Sequence, residues 1–140
     1  MIYYKLKKNN NQKSTQYGKW YARAKYLDTV DLDGLAAHMA SHNSVFTEGN
    51  IKGLLTDMVN CIKELVLDGK AVKIDDLAIF SVGLQTTAAD SAEEFTVTDN
   101  VAGFRLNARA TGKLSTQNIK LNAKLQEYSQ YSVPKVDGGE

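Results

Sequence analysis

Proline is almost missing from this chain of 140 residues: the single one, Pro134, stands near the end, so none interrupts any element before it. Cysteine is as scarce. Cys61 has no partner in the chain, which excludes an intramolecular disulfide framework. Its position between Met58 and Ile62, in an apolar stripe, predicts a small buried core residue and not a reactive thiol. No apolar run approaches the roughly 20 residues that a membrane-spanning helix needs, and the opening MIYYKLKKNNNQ lacks an apolar signal segment. A soluble, cytoplasmic chain with no membrane partner is expected. Signatures of chemistry are missing as well. There is no nucleophile elbow and no clustered metal ligands, and Thr111-Gly112-Lys113 fails as a phosphate loop because Leu114 stands where a magnesium-binding Ser or Thr belongs. The expectation is a non-enzyme with no catalytic residues, no metal and no cofactor.

Two weaker patterns are explained without a ligand. His38 and His42 sit one helical turn apart, but no Glu or Cys is placed to complete a metal site, so they are expected to be solvated. Asp28 to Gly34, DTVDLDG, is faintly like a calcium loop, yet it has no bidentate acid to close it, and helix capping accounts for Asp31.

The near balance of 17 basic and 16 acidic residues conceals a segregation. Residues 1–30 carry seven basic and one acidic; residues 31–104 carry four basic and twelve acidic; residues 105–126 carry five basic and none acidic. Two basic segments flank an acidic middle, and for a polyanionic partner the local field matters more than the total.

Local signals agree best from Phe46 to Val82. Thr47 caps a helix whose apolar positions Ile51, Leu54, Leu55, Met58, Ile62, Leu65 and Val66 make a wide stripe, and Asp68-Gly69-Lys70 stops it. A strand follows in which Val72, Ile74, Phe80, Val82 and Leu84 point one way and Lys73, Ser81 and Gln85 the other, interrupted by a turn or bulge at Asp75-Asp76. Before this stretch, Asp31 caps a short helix from Leu32 to about Ser41, with Leu35, Ala36 and Met39 toward the longer one. Earlier still, Ile2–Lys8 and Lys19–Tyr26 alternate as strands around a polar loop, forming a hairpin with one basic face. Trp20 is expected to be at least half buried in it. Val101–Ala110 is a further strand, with Phe104, Leu106, Ala108 and Ala110 alternating with Arg105, Asn107 and Arg109. Leu114 to Lys120 suits a short helix. Leu121, Ala123 and Leu125 suggest a last strand that pairs with the hairpin, against which stands a continuous helix over Ser115–Tyr128. A loose tail is expected from Ser132.

The order of helix, Asp68-Gly69, Val72 and Leu77-Ala78-Ile79-Phe80 resembles the HU and integration host factor family of bacterial histone-like proteins, without a gap from Phe46 to Val82. Asp76 and Ala78 stand where that family has glycines. The hairpin resembles the N-terminal extension of a longer HU-related branch. The resemblance implies an α+β fold: two helices in the N-terminal half, an antiparallel sheet with a ribbon arm or its remnant, an N-terminal β-hairpin and a C-terminal strand. It implies a single domain over residues 1–131, with residues 1–30 as extension and 31–131 as core. In that family the arm lies along DNA and ends in a wedging proline. Here Thr86–Asn100 has no proline and carries Asp90, Glu93, Glu94 and Asp99, so the arm is either shortened or serves another partner.

Together the basic segments and the resemblance imply a nucleoid-associated architectural protein that contacts the phosphates of double-stranded DNA through Arg105, Asn107, Arg109, Lys73, Arg23, Lys25 and Lys113, largely without reading bases. It would act as a homodimer or as a heterodimer with a paralogue. The competing expectation is an HU-like dimeric interaction module that has left DNA and uses its acidic segment.

Overall fold

The computed structural model describes residues 1–128, which form two compact units: Val30–Lys120, and Met1–Thr29 together with residues 121–128. The tail expected from Ser132 lies outside the described residues.

In the larger unit, α1 (Leu32–Ser41) starts where the Asp31 carboxylate accepts the Gly34 N–H at 2.9 Å, the capping role expected of Asp31. The longer α2 (Glu48–Leu67) starts where Thr47 Oγ1 accepts the Asn50 N–H at 3.3 Å. It ends as Gly69 turns to φ +75°, letting the Gly69 and Lys70 N–H groups return to the carbonyls of Val66 and Leu65. The core is small: Ala36, Ile51, Val66 and Ala78. The apolar stripe of α2 divides in two. Ile51, Leu55, Met58, Ile62 and Val66 are buried or half-buried, whereas Leu54, Cys61 and Leu65 are exposed. Cys61 is therefore not the buried residue expected from its neighbours, because α1 and the sheet cover one side of a stripe too wide for them.

Three antiparallel strands complete this unit in the order β3 (Val72–Ile74), β4 (Ala78–Thr86), β5 (Val101–Ala110). The turn from β3 to β4 puts Asp76 at φ +63°, the left-handed conformation for which the related family uses glycine and which Asp tolerates better than most residues. The chain after β5 holds this turn. Thr111 N–H donates to Leu77 O, and Lys113 N–H donates to the Asp76 carboxylate, both at 3.1 Å, as the chain enters a single 3-10 turn (Gly112–Leu114).

No ribbon arm leaves β4 and β5. Their pairing ends with a register shift at Gln85/Thr86, and no strand lies between Thr86 and Val101. The segment is a loop closed by a four-residue helix, α3 (Val97–Asn100), so the acidic stretch is the remnant of the expected alternatives. Asn100, only 8% exposed, holds the loop. Its side-chain oxygen accepts the Thr96 N–H at 3.0 Å, while its amide donates to the carbonyls of Thr87 and Ala88 at 3.4 and 3.3 Å.

In the smaller unit, β1 (Ile2–Lys8) and β2 (Trp20–Lys25) pair antiparallel from Tyr3–Lys25 to Lys8–Trp20. Their loop is closed by Asn9 N–H to Lys19 O and Gly18 N–H to Asn9 O, both at 2.8 Å. After α4 (Thr116–Asn122), β6 (Leu125–Glu127) lies parallel to β1, Ile2 opposite Leu125. The last strand thus joins the hairpin as expected, beginning four residues later than the alternation suggested, and the continuous helix to Tyr128 does not form. Trp20 is sheeted but 55% exposed, contrary to expectation. It opens β2 opposite the last residue of β1, at the end of the sheet that β6 does not reach.

Candidate nucleic-acid interface

Strand register decides which side chains share a face. Lys73, Ile79 and Arg109 are opposite one another across β3, β4 and β5; Ser81 is opposite Asn107, and Gly83 opposite Arg105. Lys73, Arg105, Asn107 and Arg109 therefore occupy one face of the sheet. Phe80–Ala108, Val82–Leu106 and Leu84–Phe104 occupy the other, the parity expected of β5. Successive same-face residues lie roughly 7 Å apart, so Arg105, Asn107 and Arg109 form a row about 14 Å long with an amide at its middle.

Gly83 makes room for that row. A Cβ there would lie 2.7 Å from Asn107 Nδ2 and 3.5 Å from Arg105 Nε, so both side chains lie across the glycine. Sequence reading passed over Gly83, although a glycine within a strand signals a close approach of just this kind. Among the described residues no carboxylate pairs with Arg105 or Arg109, whereas Lys73 Nζ lies 3.6 Å from Asp75.

The remaining candidates separate. Lys113 lies in the 3-10 turn, its backbone engaged by Asp76. Arg23 and Lys25 belong to the smaller unit, opposite Lys5 and Tyr3. His38 and His42 approach each other, Nε2 to Nε2 at 3.1 Å, with their rings edge to face, and no group of three or more metal-ligating side chains occurs among the described residues. No helix among them is long and apolar enough to cross a membrane.

The apolar face is open. Val82, Leu84 and Phe104 line a cavity of about 330 Å³ beside Val66 and Leu67 at the end of α2. Leu67 and Phe104 are each 71% exposed. Among the apolar residues of α2 and β4, Leu54 and Leu65 are exposed, while Ile51 is buried and Met58 and Phe80 are half-buried.

Two helices on a three-stranded antiparallel sheet, extended by a hairpin and a closing strand, define an α+β protein of the HU type. The chain belongs to the HU-HIG family, described as an HU domain fused to wHTH, Ig, or glycine-rich motif, whose family model matches residues 1–125. The family resemblance of Phe46–Val82 is thereby borne out, and the match takes in the N-terminal hairpin. A crystal structure of a candidate DNA-binding protein from Bacteroides vulgatus ATCC 8482 has the same fold, with a TM-score of 0.69 and 10% sequence identity. The superposition covers 94% of this chain and 50% of that one, so the chain spans about half its neighbour's length. Among curated proteins no relative matches.

Proposed function

We propose that the protein is a non-enzymatic architectural DNA-binding protein that contacts duplex phosphates, largely independently of sequence, as a dimer in the cytoplasmic nucleoid. The observation that carries this reading is the row Arg105–Asn107–Arg109, aligned on one sheet face with Lys73 and, for the two arginines, free of carboxylate partners among the described residues. Guanidinium and amide groups at these intervals suit a series of phosphates and read no base edge. The structural neighbour, itself a candidate DNA-binding protein, supports the same reading. The opposite face supports the dimer: Leu67, Leu84 and Phe104 are exposed together around an open apolar cavity, and clustered exposed apolar residues of this kind mark a contact with another protein. Strand parity then directs the basic row of each protomer away from the interface. The partner is a second copy or a paralogue.

Duplex binding by mobility shift over a range of salt concentrations tests the assignment. Arg105→Ala with Arg109→Ala should weaken binding to all duplexes alike and reduce the salt slope by about two. Glu93→Gln with Glu94→Gln should leave binding unchanged or tighter. An arginine pair that can be removed without effect on affinity or slope refutes the site, and a wild type that binds no duplex at low salt refutes the function. The exposed acidic loop keeps the interaction-module reading as the alternative, and that reading reverses the order of these effects.

A further inference from the structure

The smaller unit carries a second charged face that the duplex site does not use. Paired residues in β1 and β2 share a side, so Tyr3, Lys5 and Lys7 stand with Lys25, Arg23 and Tyr21 on one surface. Gln126 of β6, opposite Tyr3, falls on the same side. Tyr128 follows it: its ring meets Tyr3 edge to face at 5.6 Å, and Lys5 Nζ is 5.8 Å from its centre. The Arg23 guanidinium is 5.5 Å from the centre of the Tyr21 ring. The acid within these three strands, Glu127, is opposite Tyr4 and so on the reverse side. Among the described residues the result is a face with four cations, three tyrosines and no carboxylate from its strands. Tyr21 remains 38% exposed and Tyr128 51%.

We infer that this sheet face binds single-stranded DNA, stacking bases on Tyr21 and Tyr128 while Lys5, Lys7, Arg23 and Lys25 hold the phosphates. Rings interleaved with cations suit unstacked bases, because each base offers a π-face to an aromatic side chain only when its neighbours have parted. A duplex keeps those faces hidden, and its major groove admits a helix or a two-stranded ribbon, not the breadth of a third strand. Each exposed ring also has a cation at stacking range, so a base seated on the ring brings its own phosphate toward a positive charge. DNA is favoured over RNA because the face offers few acceptors for a 2′-hydroxyl beyond Gln126 and the tyrosine hydroxyls. Arg23 and Lys25, which the sequence alone assigns to duplex phosphates, belong to this face and not to the row of Arg105, Asn107 and Arg109 with Lys73, so variants of the tyrosines and of the arginine row test the two assignments separately.

Fluorescence anisotropy of the full chain with a labelled oligo-dT of about 15 nucleotides, within the range that one such surface spans, tests the inference. Tyr21→Ala and Tyr128→Ala should each weaken binding at least about five-fold, with Tyr21→Leu doing the same while keeping an apolar, strand-compatible side chain. Tyr21→Phe should retain affinity. Arg23→Ala with Lys25→Ala should lower the salt slope by about 1.4. The Arg105→Ala, Arg109→Ala pair should leave oligo-dT affinity within two-fold while duplex binding falls, and loss in that arm alone concerns only the duplex site. Unchanged oligo-dT binding in Tyr21→Leu and Tyr128→Ala overturns the inference, as does a wild type that binds no oligo-dT at low salt. Equal weakening of duplex by the tyrosine variants makes the face a second duplex contact and overturns it too, and a preference for oligo-rU over oligo-dT overturns the choice of DNA.

Discussion

Asn100 offers the sharpest test of how the shortened arm is held. Its side chain accepts one backbone N–H, from Thr96, and donates to two backbone carbonyls, of Thr87 and Ala88, so it fastens both ends of the loop between β4 and β5. Truncation to alanine removes these bonds and leaves the three backbone groups dependent on water. The bond from Thr96 is short and those to the carbonyls are long, and Thr87, Ala88 and Thr96 are themselves exposed, so water restores part of the loss. A net cost of about 2 kcal/mol follows. For a unit of this size that is a fall of about 10 °C in Tm. Asn100→Asp separates hydrogen bonding from packing. The carboxylate keeps the acceptor for Thr96 but turns negative oxygens toward two carbonyls, which disfavours its charged form and raises its pKa in the folded state. A carboxyl whose folded pKa is raised holds its proton better in the folded than in the unfolded chain. Its stability contribution is therefore present at low pH and lost as pH rises above the unfolded value of about 4. Urea unfolding of wild type, Asn100→Ala and Asn100→Asp at several pH values measures this. Asn100→Ala within about 0.5 kcal/mol of wild type, or an Asn100→Asp deficit that does not change between pH 4 and 7, would refute the reasoning.

Two other outcomes are expected. Gly112 has φ +53°, and a Cβ there would come within 2.9 Å of the Asp76 Cα, so Gly112→Ala should cost at least about 2 kcal/mol by denaturant midpoint, through strain and the lost clasp on the β3–β4 turn. Phe104→Glu places a charge on the open apolar face without removing anything buried in the single chain, and light scattering should find it as a folded species near 15.4 kDa where wild type is twice that.

What was legible in the sequence was whatever depends on neighbours along the chain. Asp31, Thr47 and Gly69 act on backbone groups three to five residues away, so the two helices could be read from capping and periodicity alone. Cys61 and Trp20 could not be placed that way. Periodicity shows that a face is apolar, but not how much of it the rest of the chain reaches, and α1 and the sheet are too narrow to cover both halves of the α2 stripe. Asn100 was missed for a related reason. Its partners lie four and more than ten residues away, across a loop whose acidic composition resembles solvated surface, and only the closed loop turns an ordinary asparagine into a buried one.

The same distinction governs the basic row. Parity along β5 is a local property, so the alternation of Arg105, Asn107 and Arg109 with apolar residues could be read directly. Whether other charges join that row depends on register between strands. Lys73 joins because it is opposite Ile79, which is opposite Arg109, and a slip of one residue between β3 and β4 would put it on the apolar face. The β3–β4 turn sets that register, and Asp76 holds the turn in a conformation that the chain after β5 fastens through Thr111 and Lys113. Asp76 thus contributes to the basic face by geometry while opposing it by charge. Asp76→Gly, which keeps the left-handed conformation without the carboxylate, separates the two contributions: the turn loses its bond to the Lys113 N–H, and the field at the arginine row loses a negative charge.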